Sequence, residues 1–171
     1  MNHEQPQLLA IAAYSGTGKT TLLKAIIPIL KLAGIRVGLI KHTHHNMDID
    51  TPGKDSYELR KAGAEQTMVV SNQRWALMTE TPEQPPDLYE LAKRMDASAL
   101  DLILVEGFKQ EEINKIVLFR QELGRPLSDL LDEYVIAIAT DSPLATSFTQ
   151  LDINQPRQIA DFIRRWINVR R

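Results

Sequence analysis

The run Ala13-Tyr14-Ser15-Gly16-Thr17-Gly18-Lys19-Thr20 sets glycines, a lysine and several hydroxyls within one short turn. That combination has the chemistry to hold a polyphosphate. Gly16 and Gly18 let the backbone turn tightly and bring its N–H groups close to phosphate oxygens. Lys19 supplies a mobile positive charge for the β- and γ-phosphates and is the one candidate here for a catalytic role; Thr20 offers its hydroxyl to magnesium. Ser15, Thr17 and Thr21 fill out the cradle. An apolar stretch, residues 8–12, comes immediately before, and a helical pattern begins at Lys19. This strand, turn and helix is the setting a P-loop needs, and the helix adds unpaired first-turn amides and the positive end of its dipole. Ala13 stands where the pattern has glycine, which a negative φ at the strand end tolerates. The ligand class implied is a nucleoside triphosphate with magnesium.

Other strand ends carry further candidates. In the run from Asp101 to Gly107, the two acids lie about 16 Å apart along an extended strand. Only the carboxyl end faces the P-loop, so Glu106 is the candidate for magnesium and Asp101 a structural cap at the far edge. Gly107 allows a backbone amide to approach the γ-phosphate. A second strand ends in Lys41-His42-Thr43-His44-His45, followed by Asp48 and Asp50. Two readings stand: a polar loop in which Lys41 and His42 meet phosphate charge, or a zinc or nickel site. Pro52-Gly53-Lys54-Asp55-Ser56 reads as a turn with Asp55 or Ser56 capping a short helix. Asp141 follows another apolar run, 135–140; a carboxylate there can accept from guanine N1–H and N2, or can simply end a strand before a turn. Asn114-Lys115 resembles the start of the guanine motif Asn-Lys-x-Asp, but position 117 is valine and the match fails.

The elements that must position these groups alternate. Strands are expected at 8–13, 35–41, 100–105, 115–120 and 135–140, and helices at 19–33, 57–62, 88–95 and from Pro156 onward. Residues 66–71 and 74–79 flank Asn72-Gln73 as a hairpin. Residues 42–56 and 81–86 are loops, and 121–132 a polar connector. The expected fold is α/β: a three-layer P-loop NTPase-type architecture, mostly parallel sheet, with an antiparallel hairpin added, in a single domain over 1–171.

The chain has 171 residues, 43% of them hydrophobic, enough for a substantial core, and a net charge of −2 that gives no electrostatic case for nucleic acid. It has no cysteine, so disulfides and thiolate metal sites are excluded. No apolar run is long enough to span a bilayer and residues 1–7 lack a signal-peptide core, so a cytoplasmic protein with no membrane partner is expected. Arg164, Arg165, Arg170 and Arg171 read as a solvated basic end of the last helix.

The segments 15–22, 39–45, 52–56, 63–64 and 101–109, taken together, resemble the MobB family of molybdopterin-guanine dinucleotide biosynthesis adaptors. The P-loop alone is widely shared; Lys-His-Thr-His-His with Pro-Gly-Lys-Asp-Ser is far more specific. The resemblance implies a GTP-binding adaptor with at most weak GTPase activity, GTP and Mg2+ as ligands, and a homodimer. It also implies association with the nucleotidyltransferase MobA, which attaches GMP to molybdopterin, and molybdopterin itself as a possible ligand. By position, Gly16, Gly18, Lys19 and Thr20 would bind phosphate and magnesium, Glu106 would be the metal-side acid, and Lys41 and His42 would flank the nucleotide or the cofactor precursor. Two other classes stay open on the residues: a small-metabolite ATP-dependent kinase or ligase, and a GTP-dependent metallochaperone using His42, His44 and His45.

Overall fold

The computed structural model describes residues 5–43, 47–81, 86–108 and 111–169. Its elements follow the chain as β1 (Gln7–Ala12), α1 (Lys19–Leu32), β2 (Val37–Lys41), α2 (Asp55–Lys61), β3 (Gln66–Val70), β4 (Trp75–Thr79) and α3 (Leu88–Lys93). They continue with β5 (Leu102–Glu106), β6 (Lys115–Phe119), β7 (Val135–Thr140), β8 (Gln150–Asp152) and α4 (Pro156–Val169). The chain divides into two compact units, one made of residues 1–42 and 88–171, the other of 43–87.

The first unit is a six-stranded sheet in the order β2-β5-β1-β6-β7-β8, parallel at every described pairing. Every residue of β5 and β6 is buried, as a strand covered on both faces requires. On one face Leu9 and Ile11 of β1 pack with Ile26 and Leu30 of α1 and with Ile159 and Ile163 of α4. On the other, Ala10, Ile103 and Val105 pack with Leu88 of α3 and with Ile113. Three layers result, as the alternating pattern predicts. α4 begins at Pro156 as expected, where the missing N–H costs nothing. The expected strand list omits β8: its three residues include one buried apolar side chain, Leu151, too few to show a period.

In the second unit, β3 and β4 form an antiparallel pair with Met68 opposite Leu77 and Val70 opposite Trp75. Opposed residues share a face, so these four make one apolar face, and all four are exposed. α2 begins at Asp55 rather than Tyr57. The expected side-chain cap does not form: Lys54 holds the cap position with no side-chain hydrogen bond, and Asp55 is a first-turn acid instead. Glu58 reaches back to accept from the N–H of Gly53, the residue before the cap position, at 3.2 Å, which ties the turn to the helix.

Candidate functional site

β1 is central in the sheet, and the loop that leaves its carboxyl end runs straight into α1. Ala13 is buried and has no positive φ, so alanine is accommodated there. Gly16 and Gly18 have φ of 83° and 99°, and a Cβ on either would meet no atom within 4 Å. They are glycines for conformation, not for room. The loop is tied from within: the buried Thr17 donates its hydroxyl to the Tyr14 carbonyl at 2.8 Å, and Lys19 Nζ donates to the carbonyls of Ala13 at 3.1 Å and Tyr14 at 3.4 Å. Ser15, Gly16, Gly18, Thr20 and Thr21 are exposed. α1 opens at Gly18 with no side-chain cap and no acid in its first turn, a helix start prepared for an anion. Outside the loop, the Tyr14 hydroxyl donates to the Pro126 carbonyl at 2.7 Å and lies 3.2 Å from Asp129. Desolvation, and then the Asp129 charge, hold this phenol above its ordinary pKa of 10.0.

Glu106 ends β5 between Ile11 of β1 and Lys41 of β2. It is 9% exposed and faces Lys41 Nζ at 3.7 Å. The strand ends are drawn together just beyond: the His42 N–H donates to the Glu106 carbonyl at 2.8 Å, and the His42 and Phe108 rings lie 5.1 Å apart. Gly107 has φ of 93°, and a Cβ there would sit 2.6 Å from the His42 carbonyl oxygen. The glycine is thus also what permits the close approach of the two strand ends. A small cleft of about 30 Å³ opens here, lined by Ala12, Ala13, Lys19, Gly107 and Phe108 among others. Glu106 and Thr20 are oxygen donors of the kind magnesium takes with phosphates and water, so the donor chemistry fits that ion.

Asp141 follows β7 directly, and parallel pairing of Phe119 with Thr140 puts it beside Arg120. Arg120 NH1 is 3.6 Å from Asp141 Oδ2, and the Gln121 N–H donates to Oδ1 at 3.4 Å. Arg120 also donates from Nε to the Thr17 carbonyl at 3.2 Å and from NH2 to Asn154 Oδ1 at 3.2 Å. Sequence reasoning missed Arg120; its signal was its place as the first polar residue after the buried run of β6. Lys115, the residue of the failed guanine motif, lies at the amino end of β6, 2% exposed, with Nζ 2.6 Å from Asp132. Asp101 is the structural acid expected, accepting from the Arg36 N–H at 2.8 Å and from its guanidinium.

Within the second unit, the candidate metal acids are otherwise engaged. Asp48 and Asp50 both accept from Arg60 NH2, at 2.6 and 2.9 Å, and Glu80 accepts from NH1 at 3.0 Å. The hydrogen bond from Arg60 holds the Asp50 carboxyl below its ordinary 3.8. His44, His45, Lys109, Arg170 and Arg171 lie outside the described residues. Among the described residues no group of three or more His, Asp or Glu side chains is placed to hold a metal, and no helix is long and apolar enough to cross a membrane.

A three-layer α/β sheet with a glycine-turned loop feeding the central helix defines a protein of the P-loop type. Comparison with known proteins narrows the class. Residues 8–141 match the family model described as MobB, molybdopterin guanine dinucleotide synthesis protein B. The molybdopterin-guanine dinucleotide biosynthesis adapter protein of Escherichia coli (strain K12) is 65% identical over 162 residues, spanning 94% of this chain and 93% of that one. Its counterpart in Haemophilus influenzae is 53% identical over 168 residues, covering 98% and 93%. A crystal structure of molybdopterin-guanine biosynthesis protein B (mobB) superposes with a TM-score of 0.77 at 25% identity, covering 94% of this chain and 99% of that one. The chain belongs to the MobB family.

Proposed function

We propose that the chain binds GTP with magnesium at the P-loop and acts as the adaptor of molybdopterin guanine dinucleotide synthesis. The observation that carries the nucleotide reading is the start of α1, which has neither capping side chain nor first-turn acid. Anions are favoured at such an end by both amides and dipole. In this reading the amides of Ser15 to Thr21 wrap the β-phosphate, and Lys19 leaves the Ala13 and Tyr14 carbonyls to reach the β- and γ-phosphates. Thr20 and Glu106 hold magnesium, which when bound neutralises charge on the phosphate oxygens. Lys41, with Nζ 3.7 Å from Glu106, would flank the γ-phosphate or the molybdopterin precursor together with His42. Asp141 accepts from the guanine edge.

Hydrolysis is expected to be feeble, far below the usual enzyme range of ~1–1000 per second. The partner is the nucleotidyltransferase MobA, and the state is a homodimer. For the second copy we assign the exposed face of Met68, Val70, Trp75 and Leu77, because uncovered apolar faces of this kind mark association surfaces. Sedimentation of Trp75→Glu as a monomer beside a dimeric parent tests that assignment.

Calorimetric titration with non-hydrolysable GTP and ATP analogues and magnesium tests the nucleotide reading, on the parent and on Asp141→Ala. Selective GTP binding that is lost in the variant supports it. Preferred ATP binding, with γ-phosphate transfer to a metabolite, would replace it with a phosphotransferase.

A further inference from the structure

We infer that Arg120 is a positioning residue that makes base recognition and phosphate binding a single event. The inference rests on the proposed reading of Asp141 as the guanine acceptor. Three contacts carry it. One guanidinium donates to the Thr17 carbonyl in the phosphate loop and to Asn154 Oδ1 beyond β8, and it pairs with Asp141 beyond β7. The peptide plane fixes the consequence at the loop. In a trans peptide the C=O of Thr17 and the N–H of Gly18 point opposite ways, so holding the carbonyl from behind aims the amide away from Arg120. At Asp141, Arg120 takes one carboxylate oxygen and the Gln121 N–H the other. A carboxylate has about four lone-pair sites, so each oxygen keeps capacity for one donor of a base edge while its orientation is set.

The planar fork is what allows these contacts at once. Its donors diverge at fixed angles, whereas a lysine ammonium is a single point charge. Arg120 therefore restrains the Gly18 peptide and the Asp141 carboxylate together. A ligand that engages both ends meets a pre-ordered site, and one that engages a single end meets only part of it.

The test is a binding matrix of Mg·GTP analogue, Mg·ATP analogue and magnesium tripolyphosphate against the parent, Arg120→Ala, Arg120→Lys and Asp141→Asn, with folding checked by circular dichroism. In Arg120→Ala, tripolyphosphate affinity is expected to fall roughly tenfold and the GTP-over-ATP preference to collapse by a similar factor, within the usual range of site coupling. Arg120→Lys restores at most one of the two. Asp141→Asn loses the preference and keeps tripolyphosphate binding. An Arg120→Ala protein that folds yet retains either its tripolyphosphate affinity or its guanine preference overturns the coupling. If Asp141→Asn keeps full guanine preference, the base reading itself fails; a tripolyphosphate loss in Arg120→Ala would then mark it as a support of the loop alone, and the coupling is refuted with it.

Discussion

Replacing Gly107 with alanine separates two costs that the structure combines at one residue. The first is conformational. Gly107 has φ of 93°, where a Cβ is penalised by about 1–2 kcal/mol. The second is steric: the added Cβ would stand 2.6 Å from the His42 carbonyl oxygen and 3.1 Å from its Cβ. The obstacle is mainly backbone, fixed by the His42 N–H bond to Glu106, so relief requires the end of β2 to move. Such a backbone shift costs about 1–3 kcal/mol, which with the conformational term brings the expected total to about 2–5 kcal/mol. Two controls isolate the parts. Gly34→Ala has φ of 80° and open space, so it carries strain alone, about 1–2 kcal/mol. Gly38→Ala has ordinary φ, and its Cβ meets Met95 Cε at 2.8 Å and Leu100 Cδ1 at 2.9 Å, the yielding tips of two side chains. Its cost is expected at about 1 kcal/mol. Urea titration followed by tryptophan fluorescence measures all three, and magnesium-dependent nucleotide binding by Gly107→Ala is expected to weaken because Glu106 is adjacent. A Gly107→Ala variant no less stable than Gly34→Ala would refute the claim that the two strand ends are rigidly apposed.

Lys19→Met is expected to leave folding nearly intact and to reduce triphosphate affinity at least thirtyfold, roughly 2 kcal/mol for a lost charge-assisted contact, by calorimetry. Asp132→Ala removes the carboxylate paired with the buried Lys115 ammonium, which keeps a hydrogen bond to the Glu111 carbonyl at 3.3 Å, and is expected to cost about 3 kcal/mol, whereas Lys115→Met, which leaves only the half-exposed Asp132, costs about 1 kcal/mol or less; equal losses in urea melts would contradict this. Asp50 has a folded-state pKa below its ordinary 3.8, so its contribution is complete above that value and disappears as pH falls through the lower one. Amide protection across residues 47–81, measured against the intrinsic exchange rate at each pH, should therefore fall only in that acid window, and Arg60→Met should abolish the dependence while lowering protection at neutral pH.

Much of the site was legible because its signals are local. Glycines at 16 and 18, a lysine and threonine opening an apolar helix, and an acid at the end of a fully apolar strand each report a backbone conformation or a strand end. What escaped was the pairing between distant segments. Nothing near Arg120 in sequence announces Thr17, Asp141 and Asn154, since parallel register alone brings those strand ends together. Arg60 was equally silent, and Asp48 and Asp50 were weighed as metal ligands because spacing shows that acids are near one another but not which cation lies between them. Lys115 was noticed for a motif it fails; its burial follows from Asp132, seventeen residues on. β8 and the start of α2 differ by short margins, where three or four residues carry too little periodicity to place a boundary.

The hairpin of the second unit has a bearing on how this chain leaves solution. Thr67-Met68-Val69-Val70 is β-prone, uncharged and without proline, and its apolar partners Trp75 and Leu77 are exposed on the protomer and become bare whenever two copies part. Segments of this composition stack readily with their own kind. Heating should therefore end in precipitation rather than in a reversible melt, with an apparent midpoint that drops as the solution is concentrated and climbs as the scan is made faster. Clouding temperature, not unfolding free energy, is then what limits storage. Val69→Lys should raise that temperature while hardly touching the urea midpoint, since Val69 is 43% exposed and lies on the opposite face from the one assigned to the second copy.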